Sequence, residues 1–130
     1  MLFQRVYSGA PWETKVGYCR ALRAGNMIFV TGTAPVTADG KVFAPGDAYA
    51  QARRCFDTIR DALASLGATM GDVTRTRMFV TDIARWAEYG RAHAEAFAGN
   101  PPTTSMVEVR SLIDPEMLIE IEAEAVVSPR

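Results

Sequence analysis

The segment MLIEIEAEAVV, residues 117 to 127, restricts the possible folds of this chain more than any other part of the sequence. Side chains on a β-strand point alternately to the two faces of a sheet. In this segment one face is apolar, whereas the other carries Glu120, Glu122 and Glu124. The alternation therefore predicts a strand with one buried face. Its acidic face is open to water, is neutralised by a partner, or keeps one carboxylate for chemistry.

Two segments have the periodicity of amphipathic helices. The first follows Asp47, a good capping residue, and the second follows Asp82 and covers residues 83–97. The apolar stripe of the first is Ala48, Ala52, Cys55, Ile59, Ala62 and Leu66. The stripe of the second is Ile83, Trp86, Gly90, His93 and Phe97. Both stripes are expected to pack on a sheet.

Strands are expected on both sides of these helices. Alternating or β-rich segments occupy residues 3–7, 18–24, 26–32, 73–81 and 103–109, ahead of the final strand. The order β-β-β-α-β-α-β-β favours an α+β fold, with one mixed sheet and both helices on one face. The other face would carry Arg75, Arg77 and Phe79 beside the glutamates. Such a mixed face predicts self-association.

The composition fits one globular domain over residues 1–130. Hydrophobic residues make up 48% of the chain and charged residues 22%, which is ordinary for a globular protein. Fourteen Lys and Arg nearly balance fifteen Asp and Glu, so the overall charge gives no reason to expect nucleic acid as a partner. No signal-peptide pattern or membrane-length apolar run is present, which predicts a cytoplasmic protein without a membrane partner.

Few residues have the spacing of a catalytic or metal centre. His93 is the only histidine and falls on a helix stripe, so packing is its expected role, and no triad or nucleotide-binding motif appears. Cys19 and Cys55 form no CxxC pair and are expected to be buried, inert thiols. The glutamates, about 7 Å apart along a strand, are too far apart to hold one ion alone. We expect neither a metal nor a cofactor, and on pattern alone Arg75 and Arg77 are plausible cross-strand partners for the glutamates.

Several segments together resemble one known family. GYCRALRAGNMIFVTGTAPV is similar to its G-x-Y … G-N-x-I-x-x-S-G-Q-x-P segment. QARRCFDTIRDALASLGATMGDVTRTRMFVTD is similar to its Q-A-x-x-x-x-x-N-I … D-V-x-K-x-x-V-F-x-x-D segment, and SMVEV and IEIEA resemble its last two strands. This is the reactive intermediate/imine deaminase family, also called RidA/YjgF and, in older usage, endoribonuclease L-PSP.

The resemblance implies a chorismate-mutase-like α+β fold and a homotrimer with three clefts between subunits. Active members hydrolyse enamines and imines, such as 2-aminoacrylate, to a keto acid and ammonia without a cofactor. One carboxylic acid relays protons in this chemistry. Glu120 matches the first Glu of the family's I-E-I-E-A motif and is the candidate catalytic residue. The matching candidates for substrate binding are Tyr18, Thr31 and Gly32.

The chain departs from the family at three positions, and at the first of them the family's deaminases bind the substrate carboxylate with an arginine. Thr104 replaces the arginine of the family's P-A-R-S motif, Thr33 replaces the usual Gln, and Gly90 replaces an Asn. A threonine cannot supply the charge of a bidentate arginine, so we expect a substrate other than 2-aminoacrylate, with Thr104 as a ligand contact. We also expect that Glu120, if buried, has a raised pKa because it lacks a cationic neighbour.

Two other functions are compatible with the sequence. A trimer that kept the cleft and lost the chemistry would bind a small molecule without converting it. Ribonuclease activity, the source of the family's older name, is the least favoured, because the charge balance does not suggest a nucleic-acid partner.

Overall fold

One mixed sheet of six strands forms the framework of the protein. The computed structural model describes residues 2–128, so residues 1, 129 and 130 of the predicted domain lie outside it. The strands are β1 (Gln4–Val6), β2 (Ala21–Ala24), β3 (Met27–Thr33), β4 (Val73–Val80), β5 (Thr103–Glu108) and β6 (Ile119–Val126). Their order is β1-β2-β3-β6-β4-β5, and only β4 and β5 pair in parallel. Together with the helices, this confirms the predicted α+β fold.

The acidic strand, β6, lies in the middle of this sheet. It pairs with β3 on one side and with β4 on the other, both antiparallel. Its buried residues are Ile119, Ile121, Ala123 and Ala125, and the three glutamates between them are half-buried on the opposite face. The predicted alternation is therefore confirmed, and the apolar face of β6 belongs to the core.

The longest helix, α2 (Ala48–Ser65), packs its apolar stripe on this face of the sheet. Asp47 caps it by accepting a hydrogen bond from the backbone N–H of Ala50 at 2.9 Å. Gly67 follows the helix with a φ of +83°, a conformation that glycine adopts at low cost. All six residues of the predicted stripe are buried, so the prediction for this helix is confirmed.

The next helix, α3 (Trp86–Ala96), begins later than predicted and buries a different face. A short 3-10 turn follows Asp82, and the α-helix starts only after it. Ile83 and Trp86, predicted to be buried, are 38% and 62% exposed, whereas Tyr89 and Ala92 are buried. Phe97, at the end of the predicted stripe, is buried as expected, so the prediction fails at Ile83 in the 3-10 turn and at Trp86, the first residue of the helix.

A short helix that the sequence pattern did not predict, α1 (Pro11–Val16), precedes β2. Its segment, PWETKV, is less than two turns long and has no apolar stripe. Its buried residue is an acid, Glu13, which is only 3% exposed. None of the described helices is long and apolar enough to cross a membrane.

Candidate functional site

The three glutamates of β6 face different groups on β4. Glu122 lies opposite Arg77 in the strand register, whereas Glu120 lies opposite Phe79. Nη1 of Arg77 is 3.6 Å from Oε1 of Glu122 and 3.0 Å from Oε1 of Glu124. Two of the glutamates thus have the cross-strand cation that the pattern suggested. Glu120 has an aromatic ring in the corresponding place.

On the β3 side, Glu120 packs against the backbone of Gly32. A Cβ at position 32 would lie 2.5 Å from Oε2 of Glu120, so a larger residue fits only if the carboxyl moves. The register between β3 and β6 shifts between Val30 and Thr33, and the shift includes Thr31 and Gly32. Irregularities of this kind change the direction of side chains and are common near active sites.

The carboxyl of Glu120 has a raised pKa. Burial is the main cause, the negative charge of Glu122 adds to it, and the positive charge of Arg20 opposes it. The expected direction of the shift is therefore confirmed. The expectation that Glu120 lacks a cationic neighbour is wrong, because Arg20 lies close enough to act on it. A carboxyl with a raised pKa is suited to exchanging protons near neutral pH.

Arg20 directly precedes β2 and connects several parts of the site. Its Nη1 donates hydrogen bonds to the carbonyl oxygen of Gly32 and to Oγ1 of Thr33, both at 3.2 Å. Its Cζ lies 5.8 Å from the centre of the Tyr18 ring. Its Nε is 3.6 Å from Oε2 of Glu13 on α1. No sequence motif indicated this residue, because its partners are distant along the chain and follow no periodicity.

A cavity of about 360 Å³ brings together two of the predicted ligand contacts. Tyr18 and Thr31 both line it, with Arg5, Cys19 and Phe29 among the other lining residues. Thr31 is followed directly by Gly32, which contacts Glu120. Tyr18 and Thr31 thus share one cavity wall, and Gly32, the next residue after Thr31, contacts Glu120.

Thr104, the remaining predicted contact, lies elsewhere in the chain. It pairs with Thr76 across β5 and β4, and Oγ1 of Thr76 donates a hydrogen bond to Oγ1 of Thr104 at 2.7 Å. Oγ1 of Thr76 is also 2.8 Å from Nε2 of His93 on α3, on the helix-covered side of the sheet. Thr104 and Glu120 therefore do not lie side by side within one chain, although the family resemblance implied that both belong to one cleft.

The histidine and cysteines have mainly packing surroundings. The ring of His93 lies 5.6 Å from that of Phe56 and 4.7 Å from that of Phe97, and burial lowers its pKa. Cys55 is fully buried, which raises the pKa of its thiol. Cys19 differs from expectation, since it lies outside a strand, half-buried in the cavity wall. Among residues 2–128, no three His, Cys, Asp or Glu side chains cluster as a metal site.

Sequence comparisons connect nearly the whole chain to known proteins. A family model described as Endoribonuclease L-PSP matches residues 9–127. The chain is 36% identical over 122 residues to SCO2049 of Streptomyces coelicolor, which is described as an uncharacterized protein. That match covers 94% of this chain and 90% of the Streptomyces protein.

Structural comparisons agree with the sequence comparisons. Rv2704 from Mycobacterium tuberculosis, a member of the highly conserved YjgF/YER057c/UK114 family, has 46% identity and a TM-score of 0.88, with 97% of this chain and 100% of that chain covered. The YjgF gene product from E. coli has 31% identity and a TM-score of 0.79, with 94% and 93% covered. YyfA from Yersinia pestis, a protein of unknown function of the conserved Rid family, has 25% identity and a TM-score of 0.86, with 97% and 100% covered.

Proposed function

This chain belongs to the YjgF/Rid family, the endoribonuclease L-PSP family, and on that premise we propose that it is a cofactor-free hydrolase (deaminase) of imines, enamines or related small molecules. The proposal rests on the surroundings of the Glu120 carboxyl. This carboxyl is held against Gly32, the residue that follows Thr31 of the cavity wall, and burial raises its pKa. The family resemblance implies that a single carboxylic acid can relay the protons in imine and enamine hydrolysis.

The reaction can be written with Glu120 as the only acid and base. The protonated carboxyl gives its proton to the β-carbon of an enamine, which becomes an iminium ion. The resulting carboxylate then takes a proton from water as the water oxygen bonds to the iminium carbon. The protonated carboxyl then gives its proton to the amine nitrogen as the carbon–nitrogen bond breaks and ammonia leaves. The carboxylate takes the hydroxyl proton as the carbonyl forms, which restores the protonated acid. The hydroxyls of Tyr18 and Thr31 can donate or accept hydrogen bonds to the substrate during these steps.

The proposed substrates lack a carboxylate at the position where the family arginine would bind it. Thr104 offers a hydroxyl there, which cannot replace the charge of a guanidinium. We therefore expect little turnover of 2-aminoacrylate. Ammonia release from enzymatically generated 2-aminoacrylate and from imines without that carboxylate tests this directly. Strong turnover of 2-aminoacrylate that Glu120→Ala abolishes would show that the arginine is not required.

Assembly as a homotrimer with clefts between subunits is part of the proposal. The sheet face away from the helices carries Phe29 and Met27, which are 41% and 44% exposed, and a monomer leaves such a face uncovered. The separation of Thr104 from Glu120 within one chain also favours a site completed by a neighbour. Native mass spectrometry should give three times the 14.2 kDa mass of the chain. We place the protein in the cytoplasm because Cys19 and Cys55 are both free thiols.

A small-molecule-binding trimer without catalysis is the alternative, and the replacement at Thr104 favours it. In that case a ligand would raise the melting temperature but no imine would release ammonia. Thr104→Arg would then change which ligand stabilises the protein. Ribonuclease activity is a separate possibility with a simple test, and a lack of salt-dependent RNA binding is enough to dismiss it.

A further inference from the structure

A buried ion pair joins the N-terminal segment to the candidate site. Glu13 on α1 is 3% exposed and Arg20 is 9% exposed, with Nε of Arg20 3.6 Å from Oε2 of Glu13. The Glu13 carboxylate also accepts a hydrogen bond from the backbone N–H of Ser8 at 3.1 Å and another from the Ser8 hydroxyl. Glu13 thereby holds both the segment before α1 and the guanidinium of Arg20.

The same arginine holds the backbone that borders Glu120. Its Nη1 donates to the Gly32 carbonyl and to the Thr33 hydroxyl, and its own carbonyl accepts a hydrogen bond from the N–H of Thr31 at 3.1 Å. These bonds cover the stretch of β3 where the register shifts. The position of Gly32, and with it the space left for the Glu120 carboxyl, therefore depends on Arg20.

The Glu13–Arg20 pair is poorly suited to a purely stabilising role. Removing two charges from water costs free energy that their attraction often only offsets, so a buried ion pair contributes little net stability. In addition, Nε of Arg20 has no hydrogen-bond partner among the described residues. The charge of Arg20 lowers the pKa of two nearby groups, the Glu120 carboxyl and the Cys55 thiol.

The charges around Glu120 can be accounted for strand by strand. On β6, Glu122 raises the pKa of Glu120, and on β4, Arg77 is engaged with Glu122 and Glu124. β3 presents uncharged residues beside the carboxyl. Arg20 is the cation that lowers the pKa of Glu120, and it does so against the larger effect of burial.

We propose that Arg20, held by its ion pair with Glu13, is a positioning residue for Glu120, which fixes the Gly32 backbone against which the carboxyl lies and supplies the positive charge that acts on that carboxyl. The catalytic meaning of this inference rests on the proposed function. The physical relationship does not, because it concerns the protonation of Glu120 in the free protein.

An NMR titration of the Glu120 side-chain carboxyl carbon tests the proposal without any substrate. In Arg20→Gln the positive charge is lost, so the Glu120 pKa rises above that of the wild type. In Glu13→Gln a negative charge is lost, and the pKa falls. Opposite shifts in the two variants identify an electrostatic effect, because simple loosening of the segment would move both in the same direction.

Further variants separate charge from geometry. Arg20→Lys keeps the charge but loses the fork of hydrogen bonds, so we expect the pKa to stay near the wild-type value while the backbone amides of residues 31–33 shift. Arg23→Gln is the matched control, since Arg23 instead donates to the carbonyls of Gly25 and Leu66, and its loss leaves the Glu120 pKa unchanged.

The variant Arg20→Gln leaves Glu13 buried without its partner and can fail to fold. The double variant Glu13→Gln/Arg20→Gln leaves no lone buried charge and can be titrated in the same way. We expect its Glu120 pKa to be higher than that of the wild type. An unchanged Glu120 pKa in folded Arg20→Gln or in the folded double variant would overturn the proposal. Such a result would leave the hydrolase proposal standing, whereas a lack of ammonia release with the expected pKa shifts would overturn only the hydrolase proposal.

Discussion

The carboxyl of Glu120 lies so close to Gly32 that a methyl group at position 32 would be 2.5 Å from Oε2. This contact and the position opposite Phe79 distinguish Glu120 from the other two glutamates of β6. Glu122 and Glu124 instead share Arg77. The same strand thus provides a structural acidic face and one carboxyl in the setting of an acid–base group.

Gly32→Ala should displace the Glu120 carboxyl and leave the fold intact. The contact is with the flexible end of a side chain, so we expect a loss of about 1 kcal/mol in the free energy of unfolding. Turnover should fall sharply because the carboxyl leaves its position. Gly90→Ala is the control: its Cβ meets no atom within 4 Å, and alanine in a helix interior gains about 0.5–1 kcal/mol. Urea unfolding and ammonia release measure both variants.

Glu120→Gln should change how stability depends on pH. The folded-state pKa of Glu120 is raised, so the folded protein binds the proton more tightly than the unfolded chain. The wild type therefore loses stability as pH rises through the folded pKa, and a glutamine does not. We expect the variant to gain on the wild type between pH 4 and pH 8 in urea unfolding. An equal difference at both pH values would contradict the raised pKa.

The residues with a local repeating pattern were predictable, and those held by distant partners were not. The α2 stripe and the alternation of β6 depend on spacing alone, and both are confirmed. The buried face of α3 was missed at Ile83 and Trp86, because Ile83 lies in the 3-10 turn after Asp82 and the α-helix begins only at Trp86. A sequence pattern registers neither the length of such a turn nor its effect.

The candidate site was predictable only in part, for the same reason. Tyr18, Thr31, Gly32 and Glu120 were predicted through the family resemblance, and the structure brings Tyr18 together with Thr31 and Gly32 together with Glu120. Arg20 was missed, because its contacts with Glu13 and Gly32 join segments that no periodicity relates. Because Arg20 was missed, the sequence wrongly suggested that Glu120 has no positive charge nearby.

His93→Gln should reduce the loss of stability on acidification. Burial lowers the folded-state pKa of His93, so the unfolded chain binds its proton more readily. The stability that the neutral ring contributes is complete above the unfolded pKa and is lost as pH falls through the folded pKa. Unfolding free energies at pH 7 and pH 5 should differ less in the variant. A larger difference in His93→Gln than in the wild type would show that the sign is wrong.

Thr104→Arg should create or increase activity toward 2-aminoacrylate. The new guanidinium would supply the bidentate contact for the substrate carboxylate that a hydroxyl lacks. Thr76 loses one hydrogen-bond partner but keeps His93, so the cost in stability should be about 1 kcal/mol. Thr104→Lys is the matched control, since it adds a charge without the planar fork. Equal activity of the arginine variant and the wild type would argue against a cleft that includes position 104.

The most direct test of the account is ammonia release in metal-free buffer from the imine that the wild type hydrolyses best, measured for the wild type and for Glu120→Gln. Loss of the acid–base group should lower turnover by at least about 100-fold, with the oligomeric mass unchanged. A Glu120→Gln variant as active as the wild type would contradict the assignment of Glu120 as the proton relay.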